Sequence, residues 1–97
     1  MERVFFHRLA QRELNEAAEF YELANPGLGT AFLDEVERCT QIIIDHPEAS
    51  PLLIGSVRRR LFSRFPYALL YSVNPNGIRI LAVMNLKRRP MYWVGRE

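Results

Sequence analysis

Apolar and small residues at Ala10, Leu14, Ala17, Tyr21 and Ala24 recur in steps of four and three. That spacing lines one face of a helix and predicts a first helix from about Leu9 to Leu23. Glu13, Glu16, Glu19 and Glu22 occupy other positions, so this helix is expected to carry an acidic, solvated outer side. Asn25 and Pro26 read as an N-cap and first helical residue, with Gly27 and Gly29 loosening the joint between helices. A second helix should run to about Asp45, because Phe32, Val36, Cys39 and Ile43 repeat the same spacing, and His46 with Pro47 should end it. Before the first helix, Arg3 to His7 is a short extended run containing Val4, Phe5 and Phe6.

From Val57 onward the period falls to two. Val57 to Phe62 and Ala68 to Val73 read as strands separated by Pro66, and Asn74 to Gly77 is a strong hairpin turn. Ile78 to Leu86 is the return strand. The order β, α, α, β, β, β predicts an α+β fold, with an N-terminal strand and a helical hairpin packed on an antiparallel sheet. In the return strand Ile78, Ile80, Ala82 and Met84 should share one face and Leu81 and Val83 the other. Apolar residues on both sides mean a strand covered twice. Two helices cover one side, so the other needs either Tyr92 and Trp93 folding back or a partner.

Length bounds the organisation. A chain of 97 residues buries roughly 60–65% of its unfolded surface, enough for one modest core, so residues 1–97 are expected to form a single domain. With 48% apolar residues, 11% aromatics and five glycines, the composition is that of a globular protein rather than a disordered tail. No apolar run is long enough for a membrane span, and residues 1–12 are too charged for a secretory leader. A cytoplasmic location is therefore expected. The single cysteine, Cys39, cannot form an internal disulfide and sits in a helical stripe as a buried thiol.

Charge changes the picture. Residues 1–49 carry four basic and ten acidic side chains, a net of −6, whereas residues 50–97 carry nine basic and one acidic, a net of +8. Such asymmetry points the second half toward an anionic partner. Twelve of the thirteen cations are arginine, a planar donor fork that grips phosphate or carboxylate but does not release a proton at physiological pH. The candidate target-binding or anion-binding set is Arg58, Arg59, Arg60, Arg64, Lys87, Arg88, Arg89 and Arg96, with Tyr92 and Trp93 beside it. Arg58, Arg60 and Arg64 are expected to share a strand face with Phe62. Arginines beside aromatics suit phosphate contact and stacking. Metal sites are not expected, because His7 and His46 are far apart and no Cys or His pair has ligand spacing. No motif calls for a cofactor, and no glycine-rich phosphate loop, GxSxG elbow or HExxH helix occurs.

The run RRRLFSRFPYALLYSV, the hairpin turn, and ILAVMNLKRRPMYW followed by Arg96 resemble the C-terminal signature of RelE/ParE-type toxins of bacterial toxin-antitoxin systems. The segment ELNEAAEFYE is similar to their first helix. Members that cleave mRNA on the ribosome carry a basic residue after the tyrosine matching Tyr67, where this chain has Ala68. Arg88 and Tyr92 match the endonuclease arginine and C-terminal tyrosine, at shorter spacing. The resemblance is stronger to the ParE-like branch, which often has histidine where this chain has Asn85. Metal-free RNA cleavage needs a proton acceptor and donor, roles that arginine does not readily fill, which leaves Lys87, His46 and tyrosines such as Tyr67, Tyr71 and Tyr92 as candidates. The ParE-like branch implies a toxin that inhibits DNA gyrase and is held in a hetero-oligomeric complex by a cognate antitoxin. The alternatives are a ribosome-dependent endoribonuclease acting on mRNA, with Arg88, Tyr92 and Lys87 catalytic, or a non-toxic nucleic-acid-binding module. An acidic, amphipathic antitoxin segment is expected to cover Leu81 and Val83 and pair with Arg58, Arg60 and Arg64.

Overall fold

A computed structural model describes residues 3–96. The elements run β1 (Val4–Phe6), α1 (Arg8–Ala24), α2 (Leu28–Asp45), β2 (Leu52–Ile54), β3 (Val57–Leu61), β4 (Tyr67–Asn74) and β5 (Gly77–Asn85). The strands form one sheet in the order β1-β5-β4-β3-β2, with β1 parallel to β5 and the other neighbours antiparallel. The expected α+β fold is present, but its sheet is mixed and contains a strand, β2, that the periodicity does not reveal.

Ala10, Leu14 and Ala17 of α1 and Phe32, Val36, Cys39 and Ile43 of α2 bury the predicted stripes against Phe62, Leu69, Tyr71, Ile78, Ile80 and Val83 of the β3–β5 region. Phe32 is fully buried and its ring lies 4.9–5.6 Å from those of Tyr21, Phe62, Phe65 and Tyr67. Truncating such a side chain to alanine costs about 3–5 kcal/mol. Cys39 is a buried free thiol whose pKa burial raises, in keeping with a packing role.

The joint between the helices differs from expectation. Asn25 ends α1, its N–H donating to the Tyr21 carbonyl, and the N-cap of α2 is Gly27 at φ 92°. The missing side-chain cap is supplied by Glu22 of α1, which accepts the N–H groups of Gly27 and Gly29 at 3.0–3.1 Å. A carboxylate at a helix N-terminus satisfies orphan donors and complements the dipole, so α2 starts at Leu28 rather than at Pro26. The helices also approach closely there, since a Cβ on Gly29 would sit 2.6 Å from the Ala18 carbonyl oxygen.

The strict alternation expected along β5 also fails. Leu70 pairs with Ala82 but Tyr71 pairs with Ile80, so Leu81 is an extra residue in the ladder. A bulge of this kind flips the facing of everything beyond it. Val83 therefore joins Ile78 and Ile80 beneath the helices, while Ala82 and Met84 face the opposite side. That second face is closed by the C-terminal segment, where buried Trp93 packs with Leu70 and Ala82 and is flanked by Tyr92, Leu53, Val57 and Met84. Among the described residues no helix is long and apolar enough to cross a membrane.

Candidate functional site

The basic residues that are grouped in sequence are divided by the sheet. Arg58 reaches to the loop after α2, where its Nη1 donates to the carbonyls of Glu48 and Ser50 at 3.1 and 2.7 Å. It holds β3 to that loop. Arg60 is half-buried, and its Nε is enclosed without a hydrogen-bond partner. Arg64 is exposed in the β3–β4 turn, beyond the end of β3, with its guanidinium 5.4 Å from the Phe65 ring centre. Arg59 points to the second face, where it lines a groove of about 440 Å³ with Leu61, Met84, Leu86, Arg88 and Met91. The expected surface of Arg58, Arg60 and Arg64 is thus not one accessible patch, since Arg58 is engaged internally and Arg64 lies outside the strand.

The C-terminal cations are more concentrated. After β5 the chain turns at Asn85, whose side-chain oxygen accepts the Lys87 N–H at 2.8 Å and whose carbonyl accepts the Arg88 N–H at 3.0 Å. An asparagine that caps its own turn in this way leaves Lys87, Arg88 and Arg89 exposed in a row. Arg88 lines both the second-face groove and a smaller cavity of about 180 Å³ against α1, formed with Glu13, Phe20, Tyr67 and Asn85. Its guanidinium lies 4.0 Å from the Tyr92 ring centre, close enough for a cation–π contact. Arg96 lies 5.0 Å from the same ring.

Arg96 does not face solvent. Its Nη1 and Nη2 donate to the two oxygens of Glu13 at 2.9 and 3.0 Å, and Nη1 also donates to the Leu81 carbonyl at 3.1 Å. Glu13 Oε1 accepts the Val83 N–H as well, at 3.0 Å. Glu13 is therefore part of the interior and not of a solvated acidic side. The reason is visible in the sheet: β1 pairs only with Ile78 to Ile80, which leaves the next stretch of β5 with an open edge, and this ion pair satisfies its backbone groups. The Tyr92 hydroxyl is buried nearby with no well-formed hydrogen bond, and its pKa is driven up, first by burial and then by the Glu13 carboxylate.

Leu81 and Val83, expected to await a partner, are both buried. Val83 lies beneath the helices because of the bulge, and Leu81 borders a second-face cavity with Val57, Arg79 and Trp93. Of the two possible covers for the second face, the C-terminal segment is the one the fold uses. Ala68 is fully buried between Leu61 and Met84. His7 caps α1, its Nδ1 accepting the Leu9 N–H at 3.0 Å, and His46 ends α2, so neither lies with the C-terminal cations. Among the described residues no group of three or more His, Cys, Asp or Glu is arranged to hold a metal.

Two residues that carry much of this arrangement, Glu13 and Glu35, escaped sequence reasoning. Each stands three positions after a buried residue and four before another, Ala10 and Ala17 for Glu13, Phe32 and Cys39 for Glu35. A carboxylate within a helix's apolar stripe is the signal that could have found them.

An α+β domain of this topology, closed by a cationic C-terminal segment, matches a family of small toxins. The family model described as the ParE toxin of the type II toxin-antitoxin system, parDE, matches residues 4–90. The chain belongs to this ParE toxin family. Its fold is similar to that of a solved chain described as the chromosomal ParDE TA system from P. aeruginosa, with a TM-score of 0.76 and 20% identity over 90% of this chain and 98% of that one. No curated protein matches it in sequence.

Proposed function

We propose that this toxin acts by binding and inhibiting DNA gyrase, without cleaving RNA, and that a cognate antitoxin neutralises it in the cytoplasm as a hetero-oligomeric complex. The whole chain, residues 1–97, serves as one toxin domain. The observation that carries the non-nuclease reading is the state of Tyr92. A tyrosine serving as general acid or base must reach its substrate and exchange a proton near neutral pH. This hydroxyl is enclosed beside the Glu13 carboxylate and is pushed further from neutrality, first by burial and then by that carboxylate. What Tyr92 offers is its ring, on which Arg88 rests. The cations around it grip anions and do not transfer protons, and Ala68 leaves the usual endonuclease cation missing.

The antitoxin-facing surface we assign is the second-face groove of Arg59, Leu61, Leu86, Arg88 and Met91, replacing the buried Leu81 and Val83. Leu61, Leu86 and Met91 are exposed there, and the two arginines at its rim suit an acidic, amphipathic segment that orders on binding.

Substitution at Tyr92 tests the mode of action. Expressed alone, the wild-type chain is expected to arrest bacterial growth. Tyr92→Phe keeps the ring and removes only the enclosed hydroxyl, so it should arrest growth as well as wild type, whereas Tyr92→Ala should lose most of the effect. Loss of toxicity in Tyr92→Phe, together with ribosome-dependent mRNA cleavage by the wild type, would reverse this reading.

A further inference from the structure

We infer that Glu13, on the first helix, is the positioning residue for the Arg88 guanidinium at the far end of the chain. The inference rests on the proposed inhibition and on the expectation from the sequence that the C-terminal cations bind the target, Arg88 doing so as well as bordering the antitoxin-facing groove. Glu13 grips Arg96 through both carboxylate oxygens, and both side chains are largely shielded, 14% and 11% exposed. Arg96 and Arg88 both lie within cation–π distance of the Tyr92 ring, at 5.0 and 4.0 Å. The contacts therefore run from Glu13 to Arg96, from Arg96 to Tyr92, and from Tyr92 to Arg88.

Among the described residues no other aromatic ring lies against the Arg88 guanidinium. Its backbone N–H is held by the turn at Asn85, but a long exposed arginine keeps its rotamer freedom unless a surface restrains it. The Tyr92 ring is that surface. The ring in turn belongs to a segment of turns without helix or strand, attached to the fold by Trp93 on the second face and by Arg96 at the β5 edge. Releasing Arg96 would leave Trp93 as the main attachment. The Leu81 carbonyl would then lose the guanidinium that satisfies it, while the Val83 N–H would keep Glu13 Oε1 as its acceptor.

The substitution Glu13→Gln separates these roles. Glutamine still presents an oxygen to the Val83 N–H, so that part of the β5 edge stays capped. Its amide nitrogen, however, faces the guanidinium as a second donor, and the two-pronged ion pair is lost. Trp93 is the only tryptophan in the chain and is buried in the segment under test, so where circular dichroism shows the fold kept, its emission reports docking of that segment. Glu13→Gln should keep the far-ultraviolet circular dichroism of wild type, shift Trp93 emission to the red, and weaken target inhibition roughly tenfold or more. Should Glu13→Gln fail to fold, Arg96→Lys, which keeps the charge but not the fork, should show the same two changes to a lesser degree.

Arg88→Ala distinguishes failure of this inference from failure of the functional reading. It should lose inhibition while Trp93 emission stays at the wild-type wavelength. Full inhibition by Arg88→Ala would overturn the target-side role of Arg88. Wild-type emission in Glu13→Gln, or a red shift with full inhibition, would overturn the positioning role of Glu13.

Discussion

Glu35, on the buried side of α2, accepts the backbone N–H groups of Ser63 and Arg64 through Oε2. The carboxylate also takes two hydrogen bonds from Arg38, at 3.0 and 2.8 Å. It thereby fastens the β3–β4 turn to the helical layer. The turn needs fastening because Phe65 stands at φ 72°, a left-handed conformation that costs a non-glycine residue about 1–2 kcal/mol. Its ring offsets that by packing 4.7 and 5.2 Å from the rings of Tyr21 and Phe32.

These contacts lower the Glu35 pKa from 4.5 to about 2, with the Arg38 hydrogen bonds as the largest cause and burial opposing them. A folded-state pKa below the unfolded value gives stability that is complete above pH ~4.5 and lost as pH falls toward ~2. The contribution is of order 2–3 kcal/mol, somewhat below the full conversion of the shift because the partner Arg38 is partly exposed. Glu35→Gln should be less stable than wild type by about that amount at neutral pH in urea titrations. The difference should shrink as the titrations are repeated from pH 4.5 down to pH 2. A difference that stayed constant across that range would show that Glu35 acts by packing alone.

Gly77 opens β5 at φ 133°, and a Cβ there would collide with the Arg3 carbonyl. That carbonyl accepts the Ile78 N–H at 2.7 Å, the bond that starts the parallel pairing of β1. Gly77→Ala should destabilise the fold by about 2–4 kcal/mol and raise amide exchange at Ile78 and Ile80. Unchanged exchange at those positions would mean that β1 can shift to make room.

The second-face groove predicts separable kinetics with the antitoxin. Reversing Arg59 and Arg88 together to Glu should slow association and flatten its salt dependence, since exposed charges chiefly steer encounter. Leu86→Asp should instead speed dissociation, because buried apolar anchors hold a complex together. Replacing Glu16 and Glu19 with Gln should change neither rate. Dependence on those two glutamates, with the arginines silent, would place the interface on α1. Val83→Asp is not a probe of this surface: it buries a charge beneath the helices and should abolish folding.

The helices and the three longer strands were legible from periodicity because each spans enough residues for a period to register. β2 was not, since three residues between Pro51 and Gly55 are too few to show alternation. The bulge at Leu81 was hidden for a related reason: an extra residue among apolar neighbours leaves the composition of the strand unchanged while reversing the facing of Val83. The cationic character of the candidate site could be read from charge alone. Which cations remain available could not, because Arg58 and Arg96 differ from Arg59 and Arg88 only in partners supplied by distant segments, Ser50 for the first and Glu13 for the second.

The central claim is that this toxin inhibits an enzyme rather than acting as one, and purified protein decides it most directly. Added to DNA gyrase and relaxed plasmid in the presence of ATP, it should block supercoiling or accumulate cleaved DNA. Added at the same concentration to a translating ribosome extract, it should leave mRNA intact. Normal supercoiling beside cleaved mRNA would contradict the account.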